Sequence, residues 1–214
     1  MKHNMSAAEL KDEGNKYFTL HKYDEAVTFY SQAIKKNSTV ATFYTNRALC
    51  YLKQKKWESA AEDCRRALAV DANLIKGHFF LGQALLEMDH YDESIMHLQR
   101  AMDLSKDSKR NYGDEIAYQM RMARKKRWNV LEEKRIKEEI ELQAYLNGLI
   151  LADKEQQLAN LREDVKNKVI PNDSEEGEAA EAEVRSMEQL INTTFEERLQ
   201  SCNDLFMQVD DRRK

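Results

Sequence analysis

Small residues recur every 34 positions through the first half of the chain, and this interval constrains the fold more than any other feature. Gly14, Ala48 and Gly82 form one column, Ala26, Ala60 and Ser94 a second, and Ala33, Ala67 and Ala101 a third. Large residues keep the same step at Tyr17, Tyr51 and Leu85 and at Tyr23, Trp57 and Tyr91; an acid follows each of the last three, at Asp24, Glu58 and Asp92. A unit of this length holds two short antiparallel helices, A and B. A small residue on helix A lets helix B come close, and the alanine on helix B does the same from the other side. The acid after each Tyr or Trp suits the positive end of a helix that is just beginning. One such pair cannot bury its apolar face, whereas three stacked pairs can. The spacing predicts three units, 7–40, 41–74 and 75–108, behind a short tail at 1–6.

An all-α chain also explains the scarcity of turn residues. There are 6 Gly and a single Pro, Pro171, while 34% of residues are charged. A β-sandwich or doubly wound sheet needs many more turn residues. The net charge of −4 argues against a polyanion binder. Cys50, Cys64 and Cys202 form no metal-spaced pair, and an odd count without a secretory signal reads as free thiols in a reducing compartment. No apolar run approaches the ~20 residues that cross a bilayer. These features predict a cytosolic protein, or one also found in the nucleus, with no membrane and no nucleic-acid partner. No catalytic residue, metal ligand or cofactor is predicted. The five histidines make no ligand pattern, with His78 in a packing column, and the acids are read as solvated helix faces. The basic run Arg121, Arg124, Lys125, Lys126 and Arg127 has the composition of a nuclear-localisation or nucleic-acid patch. It lacks a stacking platform beyond Trp128, so it is read as solvated helix, with Trp128 packed in a hairpin or against a neighbour.

These columns resemble the tetratricopeptide repeat family over Ala7 to Ser108, although Ser38, Ala72 and Lys106 stand where the repeat usually carries proline. The resemblance implies that the A helices line a concave face. With Leu10, Glu13, Gly14 and Tyr17 used for packing, the interleaved positions must form that face. They are Lys11, Asn15 and Phe18; then Thr42, Asn46, Leu49 and Lys53; then Lys76, Phe79 and Gln83. Lysines supply point charges for carboxylates, and asparagine amides donate hydrogen bonds without adding charge. Asn is also a poor helix former, so two of them in helix interiors call for a reason. The ligand implied is acidic with an apolar residue nearby, and a free C-terminus beside an aspartate satisfies it. Lys11, Asn15, Asn46, Lys53 and Lys76 resemble the dicarboxylate clamp of co-chaperone tetratricopeptide domains. Those domains bind the Glu-Glu-Val-Asp tails of the seventy- and ninety-kilodalton heat-shock chaperones. The resemblance implies that Lys11, Asn15 and Asn46 hold the terminal carboxylate, Lys76 holds the aspartate side chain, and Lys53 assists. Phe18, Leu49 and Phe79 would supply the apolar contacts.

Past Ser108 the columns stop. A capping helix is predicted over 112–168, with Asp114 as its N-cap and Ile116, Met120 and Ala123 covering the third repeat. Tyr112 and Glu115 would then stand at the mouth of the groove. The helical pattern continues to about Lys168, weakened only at Asn147-Gly148, a candidate kink. An acidic mobile turn is predicted over 169–182 and a second long helix over 183–214. Leu142, Leu146 and Leu149 face Val184, Met187, Ile191, Phe195, Leu199 and Phe206 at steps of three and four, the pattern of an antiparallel coiled-coil hairpin. One face of such a hairpin stays uncovered, which predicts a homodimer. The stretches Tyr44–Lys53, His78–Gln83, Ala123–Asn129 and Leu205–Asp210 resemble the co-chaperones in which a U-box ubiquitin ligase domain follows the repeats. The resemblance implies an adaptor that carries chaperone-bound misfolded clients to ubiquitination and proteasomal degradation. Contact with a ubiquitin-conjugating enzyme would then lie in a U-box expected after Lys214, so residues 1–214 are predicted to have no enzyme activity. The competing expectation is a non-catalytic scaffold whose groove takes internal acidic helices.

Overall fold

The computed structural model describes residues 5–107, 113–167 and 175–211. Among these residues the structure is helical without strands, in the order α1 Ala7–Thr19, α2 Tyr23–Lys36, α3 Ala41–Lys53, α4 Trp57–Val70, α5 Ile75–Glu87, α6 Tyr91–Asp107, α7 Gly113–Asn167 and α8 Glu175–Asp211. Two compact units are present, Met1–Val130 and Leu131–Lys214. The first holds three helix pairs, and their B helices begin at the Tyr23, Trp57 and Tyr91 step that the sequence marks.

The small-residue columns are the seams of this unit. Ala26, Ala33, Ala48, Ala60, Ala67, Ser94 and Ala101 are all fully buried. A methyl group at Gly14 would come within 2.7 Å of the Tyr30 ring, and one at Gly82 within 2.7 Å of Leu98. Ser94, in the alanine column, donates its hydroxyl to the Gly82 carbonyl at 2.7 Å, which satisfies that buried hydroxyl. The α1 terminus is closed by a capping box, in which Ser6 accepts from the Glu9 amide and Glu9 accepts from the Ser6 amide.

Each A helix ends the same way. His21, Lys55 and Asp89 have φ of 58°, 59° and 61°, in the left-handed region, and stand 34 residues apart. The following amides of Lys22, Lys56 and His90 reach back to the carbonyls of Tyr17, Tyr51 and Leu85 at 3.0, 2.9 and 2.9 Å. That is the six-to-one bond of a Schellman turn, made here without glycine.

Not every acid is solvated. Asp63 on α4 is 3% exposed. It accepts two 2.7 Å hydrogen bonds from Arg47 on α3, and Arg47 also donates to Ser31 on α2 at 2.8 Å. The fork ties three successive helices and corrects the expectation of uniformly exposed acids.

The start of α7 caps the third repeat with Ile116, Met120 and Ala123 against Ile75, Leu86 and Leu98. Lys126 pairs with Glu87 at 3.7 Å and Arg127 with Asp92 at 2.7 Å, so part of the basic run docks this helix. Asp114 lies inside the first turn, one residue after the helix start, rather than at the N-cap. Trp128 is 63% exposed in the single chain, not packed in a hairpin.

In the second unit, α7 runs unbroken through Asn147-Gly148. A single exposed glycine costs a helix only about 1 kcal/mol, too little to break one so long. Helix α8 starts at Glu175, inside the stretch expected to be a turn, because acids favour a helix N-terminus. Residues 169–174 of that stretch lie outside the described residues. The cross-links run antiparallel: Gln143 to Asn203, Asp153 to Arg198, Arg162 to Glu188. Phe195 is 1% exposed, under the Arg198 guanidinium, and Leu146, Val184, Ile191, Leu199 and Phe206 are partly buried. Leu142, Leu149 and Met187, expected in the dimer or hairpin packing, are 50%, 49% and 43% exposed in the single chain, and Met187 lines a hollow together with Leu161 and Val165 of α7.

Candidate functional site: the face of the A helices

The interleaved positions of α1, α3 and α5 carry a polar line and an apolar line. The polar line centres on two amides. Asn15 Oδ1 accepts from Asn46 Nδ2 at 3.3 Å, joining α1 to α3. The same oxygen accepts from the Tyr30 hydroxyl at 2.7 Å. With two donors on its oxygen, the Asn15 amide presents its NH₂ group as the free end, and that group has no acceptor among the described residues.

The lysines differ from one another. Lys11 is ion-paired with its neighbour Asp12 at 2.8 Å and its side chain is 33% exposed. Lys53 and Lys76 are exposed and make no ion pair among the described residues. Two uncompensated ammonium groups on one face attract an anion. Of the apolar line, Leu49 and Phe79 pack on the core cluster around Ala48, Leu81 and Leu85, which fixes their positions. Phe18 packs with Tyr23, ring centroids 5.6 Å apart, beside Tyr30 and Cys50. Glu115 is exposed in the first turn of α7, and Tyr112 lies outside the described residues.

The structure thus joins Asn15 to Asn46 and seats Leu49 and Phe79 in one cluster. No contact joins Lys11, Lys53 and Lys76 to one another. Tyr30 was not singled out from sequence. Its signal is a further column of the 34-residue period, Tyr30, Cys64 and Leu98, exposed by 2%, 0% and 0%. Burial holds the Tyr30 phenol protonated far above its ordinary range and pushes the Cys50 thiol beside it up to about 12.

His78, also on α5, is partly buried. Its Nε2 lies 3.1 Å from the Ala72 carbonyl and its Nδ1 lies 3.0 Å from His97 Nδ1, with the rings stacked. A carbonyl can only accept, so His78 Nε2 carries a proton; in the neutral ring its Nδ1 is then bare and accepts from His97 Nδ1. Burial lowers both histidines below their ordinary range.

The stacked pairs and the polar, apolar-edged face of their A helices define a tetratricopeptide-repeat protein. The comparisons agree. Residues 123–214 match the family model described as the CHIP N-terminal tetratricopeptide repeat domain, and residues 17–101 match that of anaphase-promoting complex, cyclosome, subunit 3. The chain is 39% identical over 100 residues to the E3 ubiquitin-protein ligase CHIP of Arabidopsis thaliana, covering 47% of this chain and 36% of that protein. It is 40% identical over 99 residues to the protein unc-45 homolog B of Xenopus tropicalis, covering 45% of this chain and 11% of the relative. The chain therefore spans about a third of one of these relatives and about a tenth of the other. Among solved structures, the first tetratricopeptide domain of Spaghetti (RPAP3) bound to the HSP90 peptide SRMEEVD matches with a TM-score of 0.52 at 29% identity, covering 56% of this chain and 91% of that one. The TPR2B domain of yeast Sti1 in its pHsp70 complex matches with a TM-score of 0.55 at 26% identity, covering 56% and 97%. By its family-model match and by this identity, the chain is similar to CHIP.

Proposed function

We propose that the chain is a co-chaperone adaptor whose concave face binds the acidic C-terminal tails of seventy- and ninety-kilodalton heat-shock chaperones. Lys11, Asn15 and Asn46 take the terminal carboxylate, Lys76 the side chain of the last aspartate, and Lys53 assists. Phe18, Leu49 and Phe79 receive the neighbouring apolar side chain. The observation that carries this reading is the amide pair on a face with two lysines, Lys53 and Lys76, that make no ion pair among the described residues. The likeness to repeat domains solved with HSP90 and pHsp70 partners supports the class of ligand. Hydrogen bonds to charged groups are worth about 1.5–3 kcal/mol each, and ordering a short tail offsets much of that. A dissociation constant of about 1 μM follows, weaker at high salt.

We further propose that the chain works in the cytosol as the chaperone-binding part of a longer ubiquitin ligase, a reading supported by its similarity to CHIP. Ubiquitin transfer to chaperone-bound clients would then rest on a U-box outside these residues. Self-association through the hairpin is supported by the exposed Leu142, Leu149, Met187, Leu190 and Leu205.

Fluorescence polarisation with a labelled Ile-Glu-Glu-Val-Asp peptide tests tail binding. Lys76→Ala and Asn46→Ala are each expected to weaken it about tenfold or more. Binding that survives Lys11→Ala unchanged would count against the clamp. Light scattering tests the hairpin: a dimer is expected, and Leu199→Asp with Phe206→Asp should dissociate it.

A further inference from the structure

We propose that Tyr30 is the positioning residue of the clamp: its hydroxyl locks the Asn15 side chain with the NH₂ group turned toward the ligand. The inference rests on the tail-binding reading. It starts from an ambiguity in asparagine, whose oxygen and nitrogen ends are nearly the same size. A half-turn about χ2 exchanges a donor for an acceptor at the same place. Facing a carboxylate, the first orientation attracts and the second repels.

An exposed asparagine on a helix has nothing of its own to choose between them. Here the choice is made from behind by two donors on one atom: a phenol alone could also accept from a turned amide, but the Asn46 NH₂ group can only donate, so an oxygen must stand there and take the Tyr30 proton as well. The Tyr30 hydroxyl donates to Asn15 Oδ1 at 2.7 Å, and Asn46 Nδ2 donates to the same atom at 3.3 Å. The shorter bond comes from the more rigid partner. Tyr30 is 2% exposed, and its ring lies where any side chain at position 14 would stand, within 2.7 Å of a hypothetical Cβ. Gly14 is therefore what lets Tyr30 lie flat on α1 and reach Asn15 in the next position. Burial also keeps the phenol protonated, so it remains a donor across the working pH range.

The repeat isolates the hydroxyl as the special part. The equivalent positions in the second and third repeats are Cys64 and Leu98, both fully buried, Cys64 in the core cluster that holds Ala48 and Leu98 against Gly82. Packing at this position is met by a thiol or an alkyl group. Only the first repeat adds a phenolic hydroxyl, and that is the repeat whose A helix carries an asparagine directly after the small residue. The corresponding residues after Ala48 and Gly82 are Leu49 and Gln83.

The test is a double-mutant cycle on the full 214-residue chain, with Tyr30→Phe, Asn15→Ala and the pair, titrated with a Ser-Arg-Met-Glu-Glu-Val-Asp peptide as free acid and as C-terminal amide. Tyr30→Phe keeps the ring and its packing. It is expected to weaken free-acid binding about tenfold, leave amide binding unchanged, and cost nothing further once Asn15→Ala is present. A role in packing alone would lower the melting temperature and weaken both peptides in either background. Tyr30→Phe binding the free acid within twofold of the parent, while the parent still prefers acid to amide, overturns the positioning role and leaves the tail-binding reading intact. A parent that binds acid and amide equally overturns both.

Discussion

The guanidinium of Arg47 meets the carboxylate of Asp63 as a fork on a fork, with two parallel 2.7 Å hydrogen bonds at side-chain exposures of 13% and 4%. The pair bridges the two helices of the second repeat, and the third donor of Arg47 reaches Ser31 in the first repeat. The hydrogen bonds that Arg47 donates to Asp63 raise Arg47 above its ordinary range, so the guanidinium stays charged.

Removing one partner leaves the other charged and buried. Asp63→Ala is expected to cost about 3–5 kcal/mol, whereas replacing both with apolar residues of similar volume should cost much less. Urea denaturation of Asp63→Ala and of Arg47→Met with Asp63→Leu checks both. Equal losses in the two variants would show that the fork contributes net stability of its own.

The left-handed residues at the ends of the A helices lead to a prediction of the opposite sign. A side chain in this region costs about 1–2 kcal/mol, and glycine avoids it at the expense of a looser unfolded chain. Lys55 is exposed, has φ of 59°, and makes no ion pair among the described residues. Lys55→Gly is expected to stabilise the protein by about 0.5–1 kcal/mol, measured as a higher urea midpoint with an unchanged slope.

The three-helix-pair fold was legible because its columns repeat the same residue types. Gly, Ala and Ser at fixed spacing can mean little except close helix approach. What the columns did not reveal has physical causes. The left-handed turn residues are His21, Lys55 and Asp89, so the usual marker, glycine, is absent. The Tyr30 column changes chemistry at each step, from phenol to thiol to alkyl, and shares only burial. Arg47 and Asp63 sit 16 residues apart on different helices, and each alone resembles an ordinary surface charge. The asparagine pair was legible from the cost of Asn in a helix, but the partner that orients it was not. In the second unit, the stripe of apolar residues was clear. A stripe does not say which members face the sheltered side in one chain, so Leu146 and Phe195 could not be told from Leu142 and Leu149.

The stacked histidines predict how stability depends on pH. Burial lowers both His78 and His97; for His78 the Ala72 carbonyl favours charge and Arg100 opposes it, and for His97 the neighbouring His78 and Arg65 oppose charge while Glu93 favours it. A group whose folded pKa lies below its unfolded value binds its proton more readily when unfolded. Its contribution is whole above the unfolded value, about pH 6.5, and is lost as pH falls from there toward the lowered folded values. The urea midpoint is expected to drop between about pH 7.5 and pH 5.5, and the drop should shrink in a His78→Gln, His97→Gln variant. A variant with the same pH profile as the parent would remove the histidines from the account.

The central claim is that the groove reads a free C-terminal carboxylate. Isothermal titration of the unmodified chain with two Ser-Arg-Met-Glu-Glu-Val-Asp peptides, differing only in a terminal amide, tests it most directly. The account predicts that the free acid binds near 1 μM and the amide at least about tenfold more weakly. Equal affinity for the two would contradict it, and would favour a groove that takes internal acidic segments.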